Sequence, residues 1–351
     1  MARKALGPAA LRVAQAVRDA WPGECVVGCS GGADSLALAL GAHWVAQQRG
    51  DNVKAVIVDH GLQQSSAEVA AHVAALLTAR GMTAEVSRVS VDRSRGGLEA
   101  AAREARRTAL MAHGLPVLLG HTLDDQAETV LLGLLRGSGT RSLAGMVGAA
   151  GRVLRPLLGL RRADTEDACR EWGVEPWADP MNDDPRFARV AVRQHLRGLA
   201  EAVGRDLAPA LARTALLARA DADFLDELAG AALSLEADLP VERLAGLPDA
   251  LRWRVLHRWL RGASPAVDAS LTVEAWPTVE AGPTVEALPT VEALPTVEAL
   301  PTVDASPPIE LRHVLAVDKL VTAWRGQGAI AVPGRRVARL EGRLTLLDAS
   351  T

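Results

Sequence analysis

Three groups of residues in this 351-residue chain have types and spacings suited to chemistry. The first is Ser30-Gly31-Gly32-Ala33-Asp34-Ser35, which directly follows an apolar run. Two glycines let the backbone turn tightly and bring its N–H groups against a ligand. A helical apolar pattern begins at once, so unpaired N–H groups and the positive end of a helix dipole gather at the same spot, which suits phosphate. The lysine of a Walker A loop is absent, and so is the third glycine of a dinucleotide fingerprint. The second group is His121-Thr122-Leu123-Asp124-Asp125-Gln126-Ala127-Glu128. Asp125 and Glu128 are three apart and Asp124 and Glu128 four apart, so they share one face at a helix start and suit Mg²⁺ or an ammonium group. Thr122 with Asp125 also makes a cap. A cap alone requires neither the other acids nor the histidine. The third group is basic. Arg103, Arg106 and Arg107 lie on a strongly helix-forming segment; six arginines and no acid run from Arg136 to Arg162; residues 186–219 carry seven arginines against two acids. Stretches of one sign suit a polyanion larger than a nucleotide, whereas solvated surfaces mix the signs.

Positioning these groups requires strands and helices in alternation. The pattern predicts helices over residues 9–20, 34–48, 65–79, 97–113 and 123–135. Strands are expected around Val26–Gly28, Val53–Val58, Ala84–Val89 and Val117–Gly120. Such alternation gives an α/β fold with a parallel sheet covered by helices on both faces. Ligands then bind outside the C-terminal strand ends. Ser30, Asp59 and His121 each follow a strand, so they are expected to face one crevice. Asp59-His60-Gly61 lies beside the phosphate turn and is placed to touch an adenosine.

The length supports two domains and a smaller third, and the 49% hydrophobic content supports real cores. Cys25, Cys29 and Cys169 are too few for a disulfide framework and form no Cys-x-x-Cys pair, which argues against a structural zinc or an iron–sulfur cluster. No apolar run reaches the ~18 residues that cross a bilayer, and Met1-Ala2-Arg3-Lys4 does not open a signal peptide. A cytoplasmic location without membrane contact is expected. Residues 272–307 are six copies of Thr-Val-Glu/Asp-Ala-x-Pro, and proline at every sixth position forbids a helix or a central strand. An extended linker is the expectation there. The repeat contributes −6 to the formal net charge of −3, so the rest of the chain carries +3. Residues 200–265 read as helical, with Trp253, Leu256 and Leu260 as an apolar stripe and Arg252, Arg254, Arg258 and Arg261 on its other sides. Residues 308–351 read as a small β-rich unit with seven basic residues against four acidic.

In order and spacing, residues 24–197 resemble the tRNA(Ile)-lysidine synthetases, within the N-type ATP pyrophosphatases. The matching pieces are Ser30–Ser35, Val58-Asp59-His60-Gly61-Leu62, Glu99–Arg106, Asp124-Asp125-Gln126-Ala127-Glu128-Thr129 and Arg136-Gly137-Ser138-Gly139. Leu143–Met146, Arg155-Pro156-Leu157-Leu158 and Asp179-Pro180-Met181-Asn182-Asp183 match as well. The resemblance implies a ligase that adenylates the wobble cytidine carbonyl of a CAU-anticodon tRNA(Ile) with ATP and Mg²⁺. Free L-lysine then attacks the activated carbon, giving lysidine, AMP and pyrophosphate. It further implies that Ser30, Gly31, Gly32, Ala33, Asp34 and Ser35 hold the phosphates, with Asp34 near Mg²⁺, and that Val58, Asp59 and His60 contact adenosine. Asp125 and Glu128 would take the lysine ammonium, Arg103 and Arg106 would offset charge on the adenylate and leaving pyrophosphate, and Arg189 and Arg193 would grip RNA. The chain departs from the family pattern at Thr122-Leu123, Arg107 and Val190. The expected domains are a catalytic domain at 1–198, a helical tRNA-binding domain at 199–268, a linker at 269–307 and a C-terminal unit at 308–351. The oligomeric state is left open, a homodimer included. Two other functions share the glycine turn. A tRNA thiolation enzyme would need cysteine pairs that the chain lacks, and a nucleotide sensor would leave the acids at 124–128 and the arginines unexplained.

Overall fold

The structure, a computed structural model, describes residues 6–61, 65–90, 98–137, 139–178, 188–232, 237–262 and 309–348. The Asp179–Asp183 motif and the hexapeptide repeat lie outside the described residues. The chain divides into two compact units, Met1–Ala222 and Asp223–Thr351.

The first unit runs α1 (Pro8–Asp19), β1 (Cys25–Gly28), α2 (Ala33–Arg49), β2 (Val53–Asp59), α3 (Ser66–Thr78), β3 (Thr83–Arg88), α4 (Leu98–Met111), β4 (Val117–Leu119) and α5 (Leu123–Leu135). It continues through α6 (Thr140–Leu143), β5 (Ala149–Ala150), β6 (Val153–Leu154), α7 (Arg162–Glu171), α8 (Ala188–Val203) and α9 (Ala208–Ala232), the last crossing into the second unit. The six strands lie in the order β3-β2-β1-β4-β6-β5, parallel except for β5. β1 is sandwiched, with Val27 opposite Ala55 of β2 and Leu118 of β4. Its side chains alternate between two cores. Cys25, Val27 and Cys29 pack with α1, α2 and α3, while Val26 joins Val56, Val117 and Leu110 of α4 on the other face. Both faces are dry, which is why β1 reads as an uninterrupted apolar run.

The expected helices and the first four strands form within a residue or two. The β5–β6 hairpin around Gly151 and helix α7 add elements that periodicity had not marked. The hairpin has two residues per strand, too short to show a period. α7 is a short polar helix carrying only three buried residues, Thr165, Ala168 and Cys169.

The second unit contains β7 (Leu239–Pro240), α10 (Val241–Ala245), α11 (Asp249–Leu260), α12 (Leu311–Thr322), β8 (Ile330–Val332), β9 (Arg335–Leu340) and β10 (Arg343–Asp348). Its antiparallel sheet has the order β7-β10-β9-β8. Leu239 of β7 pairs with Leu344 of β10, so residues on either side of the repeat share one sheet and one core with Leu256, Leu260, Val317 and Leu320. Arg252 does not face solvent with the other arginines of α11. It is 5% exposed and bound to Asp318. Among the described residues no helix is long and apolar enough to cross a membrane.

Candidate active site

The glycine turn joins β1 to α2. Gly31 has φ +92°, and a Cβ there would stand 2.6 Å from Val73 of α3, so both backbone and space demand glycine. Ser35 closes the turn from inside: its hydroxyl accepts from Ser30 N at 3.1 Å and donates to Gly32 O at 3.0 Å. Ser30 is left exposed at the rim. Trp177 N donates to Gly31 O at 3.0 Å, which ties the loop after α7 to the turn. Gly120, at the exit of β4, packs directly on the same helix start. A Cβ there would lie 2.8 Å from Asp34 O.

Asp34 sits in the first turn of α2. Burial pushes its carboxyl up to about 6, against the hydrogen bond from Thr165 and the charge of Arg162. Thr165 Oγ1 donates to Asp34 Oδ1 and Arg162 Nε approaches Oδ2 at 3.4 Å.

On the neighbouring strand end, α5 opens with the capping box expected of Thr122 and Asp125. Thr122 N donates to Asp125 Oδ2 at 2.8 Å, and the Thr122 hydroxyl faces Asp125 N at 3.4 Å. The other carboxylate oxygen, Oδ1, accepts from Arg162 at 2.8 Å. Glu128, 1% exposed, faces two guanidinium groups: Arg193 Nε at 2.7 Å and Arg162 Nη1 at 3.5 Å. Asp124 turns away to Arg161 Nη2 at 2.8 Å and Arg162 N at 2.8 Å. Burial opposes ionisation of Asp124, but the Arg161 fork holds its carboxyl below the usual range. Gln126 clamps the Leu143–Met146 turn with both ends of its amide, giving to Met146 O at 3.0 Å and accepting from Met146 N at 2.7 Å.

Asp59 ends β2 as a buried carboxylate. Its carboxyl is held low by Ser66 and by Gly61 N at 3.0 Å, with burial opposing and Arg88 at 3.6 Å assisting. Val58 is half-buried against the Leu110 core. Burial lowers the pKa of His60, and the charge of Arg106 lowers it further. His121 is more strained. Burial pushes it down to about 4 against the pull of Asp125, and the fields of Arg155, Arg189 and Arg103 add to the shift. The Nδ1 atoms of His60 and His121 have no hydrogen-bond partner. Arginines from α4, α8 and the β6 exit thus converge on the end of β4, next to the carboxylates.

The geometry brings Ser30–Ser35, Asp59–His60 and His121–Glu128 to one sheet edge, as the strand ends dictate. It adds residues that the sequence reading passed over. Arg161 and Arg162 belong to a stretch read as a surface for a polyanion, yet both are engaged with carboxylates. Thr165 carried no motif at all. The available signal was position: α7 follows a parallel strand of the same sheet, so its first turn must reach the same edge.

A Gly-Gly turn at the switch between β1 and α2, with acids and arginines around it, defines an enzyme of the PP-loop class, and the PP-loop domain model matches residues 8–199. The tRNA(Ile)-lysidine synthase of Salinispora tropica is 44% identical over 368 aligned residues, covering 98% of each chain. That of Cutibacterium acnes is 51% identical over 286 residues, covering 77% of this chain and 90% of its own. The chain belongs to the tRNA(Ile)-lysidine synthase family. It is an ATP-dependent, lysidine-forming ligase. Among solved structures, the U34-tRNA thiolase NcsA from Methanococcus maripaludis resembles 60% of this chain and 80% of its own length, at a TM-score of 0.48 and 15% identity.

Proposed function

We propose that this chain forms lysidine by joining the ε-amine of free L-lysine to the adenylated wobble cytidine of a CAU-anticodon tRNA(Ile), in the cytoplasm. The observation that carries the reading is the pairing of two half-sites on adjacent strands: a phosphate-binding turn after β1 and a carboxylate cluster after β4. In the first step the cytidine C2 oxygen attacks the α-phosphorus of ATP and pyrophosphate leaves. The lysine ammonium gives up one proton to become the free amine, which attacks C2 and expels AMP, and loss of a second proton leaves the C2–NH linkage.

Each half-site has its task. Ser30, Gly31, Gly32, Ala33 and Ser35 wrap the phosphates, and Val58, Asp59 and His60 bound the adenosine. Arg103 and Arg106 stabilise charge developing on the leaving group. Asp125 and Glu128 hold the ammonium, and Glu128 is the acceptor for its proton. Arg189, on α8, faces RNA phosphate while the target base is held out of its stack. Arg193, expected to do the same, is hydrogen-bonded to buried Glu128 at 2.7 Å and steadies that carboxylate instead. Mg²⁺ bound with ATP is held largely by phosphate oxygens and water, with one or two carboxylates from the protein. Asp34, the single acid in the first turn of α2, is the carboxylate that fits this role. Mg²⁺ there would neutralise phosphate charge.

The test is incubation with ATP, labelled lysine and a CAU-anticodon tRNA(Ile) transcript. RNA-dependent lysine incorporation is expected, and its absence sinks the reading. Asp34→Ala is expected to abolish ATP turnover.

A further inference from the structure

Three carboxylates of the site come from two helix starts. Asp34 belongs to α2, and Asp125 and Glu128 to α5. Asp34 and Asp125 lie in the first turns of their helices, where the dipole favours them. With Glu128, however, they are like charges in a partly dry site, and the helix starts are otherwise joined through backbone, by β1 beside β4 and Gly120 against Asp34. One side chain spans them. Arg162 presents Nε to Asp34 at 3.4 Å, Nη2 to Asp125 at 2.8 Å and Nη1 to Glu128 at 3.5 Å. Its side chain is 19% exposed, and its backbone N–H fixes Asp124 at 2.8 Å. Three residues on, the Thr165 hydroxyl donates to the remaining oxygen of Asp34, and its proton is also within reach of Arg162 O, 2.7 Å from Oγ1 in the same helix turn. The first turn of α7 is therefore a clamp with one jaw on the phosphate-binding helix and the other on the ammonium-binding helix.

We infer that Arg162 is a positioning residue that sets the distance between the adenylating half-site and the lysine half-site. This rests on the assignment of Asp34, Asp125 and Glu128 made above. A planar fork with three separately directed nitrogens does this, and an ammonium group, a single point charge, does not. Two of its three contacts are long, so each carboxylate keeps lone pairs for the incoming ligand. With the clamp removed, each half-site still binds its own ligand, but the amine no longer meets the adenylated carbon in line. A small misplacement of reacting atoms is enough to cost about 10²-fold. Water then takes the place of the amine, the adenylated cytidine hydrolyses back to cytidine and AMP, and pyrophosphate release continues without lysidine.

The measurement is the ratio of pyrophosphate released to lysine incorporated, with tRNA(Ile), ATP and lysine present, alongside the apparent KM for lysine. In the wild-type enzyme the ratio is expected to be one to one. Arg162→Met should keep pyrophosphate release within about tenfold while lysine incorporation falls about 10²-fold and the KM for lysine rises. Arg162→Lys should fall between the two. A one-to-one ratio with unchanged KM in Arg162→Met, or equal loss of both half-reactions in both variants, overturns the inference. Should Arg162→Met fail to fold, Arg162→Lys decides alone: a ratio above one supports the clamp, and the wild-type ratio overturns it. Failure of the wild-type enzyme to incorporate lysine would instead strike the functional assignment itself.

Discussion

Arg162 in the first unit and Arg252 in the second are both largely buried arginines facing carboxylates, and they do opposite things with the same chemistry. Arg252 has every nitrogen committed at short range: Nε to Asp318 at 2.6 Å, Nη2 to Asp249 at 2.6 Å and Nη1 to Leu247 O at 2.7 Å. One buried cation meets one buried anion, Asp318, and no capacity is left for a ligand. Arg162 is stretched over three carboxylates at 2.8–3.5 Å. Two of its three contacts are much longer than any made by Arg252, so the carboxylates keep lone pairs for a ligand. Burial of an ion pair therefore says little about function. A cation spread at long range over several carboxylates says a good deal more.

Removing one partner separates the two regions most sharply. Arg252→Met keeps the volume but strands Asp318 without its cation, and should cost about 3–5 kcal/mol. Urea unfolding followed by tryptophan fluorescence measures this, since Trp253 and Trp259 lie in that core. The double variant Arg252→Met, Asp318→Leu should recover most of the loss. If it does not, the pair is more than a closed structural contact and the contrast with Arg162 weakens.

The second effect belongs to the active-site edge. His121 takes up a proton near 6.5 when unfolded but only near 4 when folded, because burial comes first and the arginine fields add to it. Acidification between those values favours the unfolded chain. The stability is whole above pH 6.5 and declines as pH falls toward 4, by up to about 3 kcal/mol. His121→Asn should flatten that decline, read from thermal unfolding at pH 7 and pH 4.5. An unchanged decline would place the charge stress elsewhere.

These contacts also show what could be read in advance. The glycine turn, the first four strands and helix α5 were legible because their causes are local: Gly31 answers a positive φ and the Val73 methyl, and Thr122 caps α5 through Asp125 three residues away. The carboxylate cluster was legible as a group but not in its pairing. Asp34 lies 128 residues from Arg162 and Glu128 lies 65 from Arg193. No periodicity carries such a link, and an arginine run looks the same whether it meets RNA or a buried acid. Arg252 was misplaced for a related reason. Its partner Asp318 lies beyond the repeat, so the helix pattern alone could not mark that arginine as core.

Within the cluster, Glu128 and Asp34 should separate by half-reaction. Glu128→Gln keeps the shape and removes the proton acceptor. The expected result is about 10²-fold lower kcat/KM for lysine with pyrophosphate release changed only a few-fold. Steady-state kinetics with varied lysine and a separate pyrophosphate assay measure both. An equal defect in adenylation would refute the role given to Glu128 and merge the two half-sites into one.

The smallest effect tests whether distance alone identifies a working pair. Arg107 reaches Glu104 at 2.6 Å, shorter than any contact of Arg162, but both side chains are about half exposed. A pair three residues apart on a solvated helix surface contributes about 0.2–0.5 kcal/mol, and salt screens it. Arg107 shares α4 with Arg103 and Arg106, so a catalytic use is the competing expectation. Arg107→Ala should lower the unfolding midpoint only slightly, the difference should vanish in about 1 M salt, and lysine incorporation should stay within twofold of wild type. The long contact of Arg162 to buried Glu128 is expected to matter far more than this short one, because water and ions cannot take the place of its partner. A large loss of activity in Arg107→Ala would reverse that ranking and extend the working site along α4 from Arg103 and Arg106.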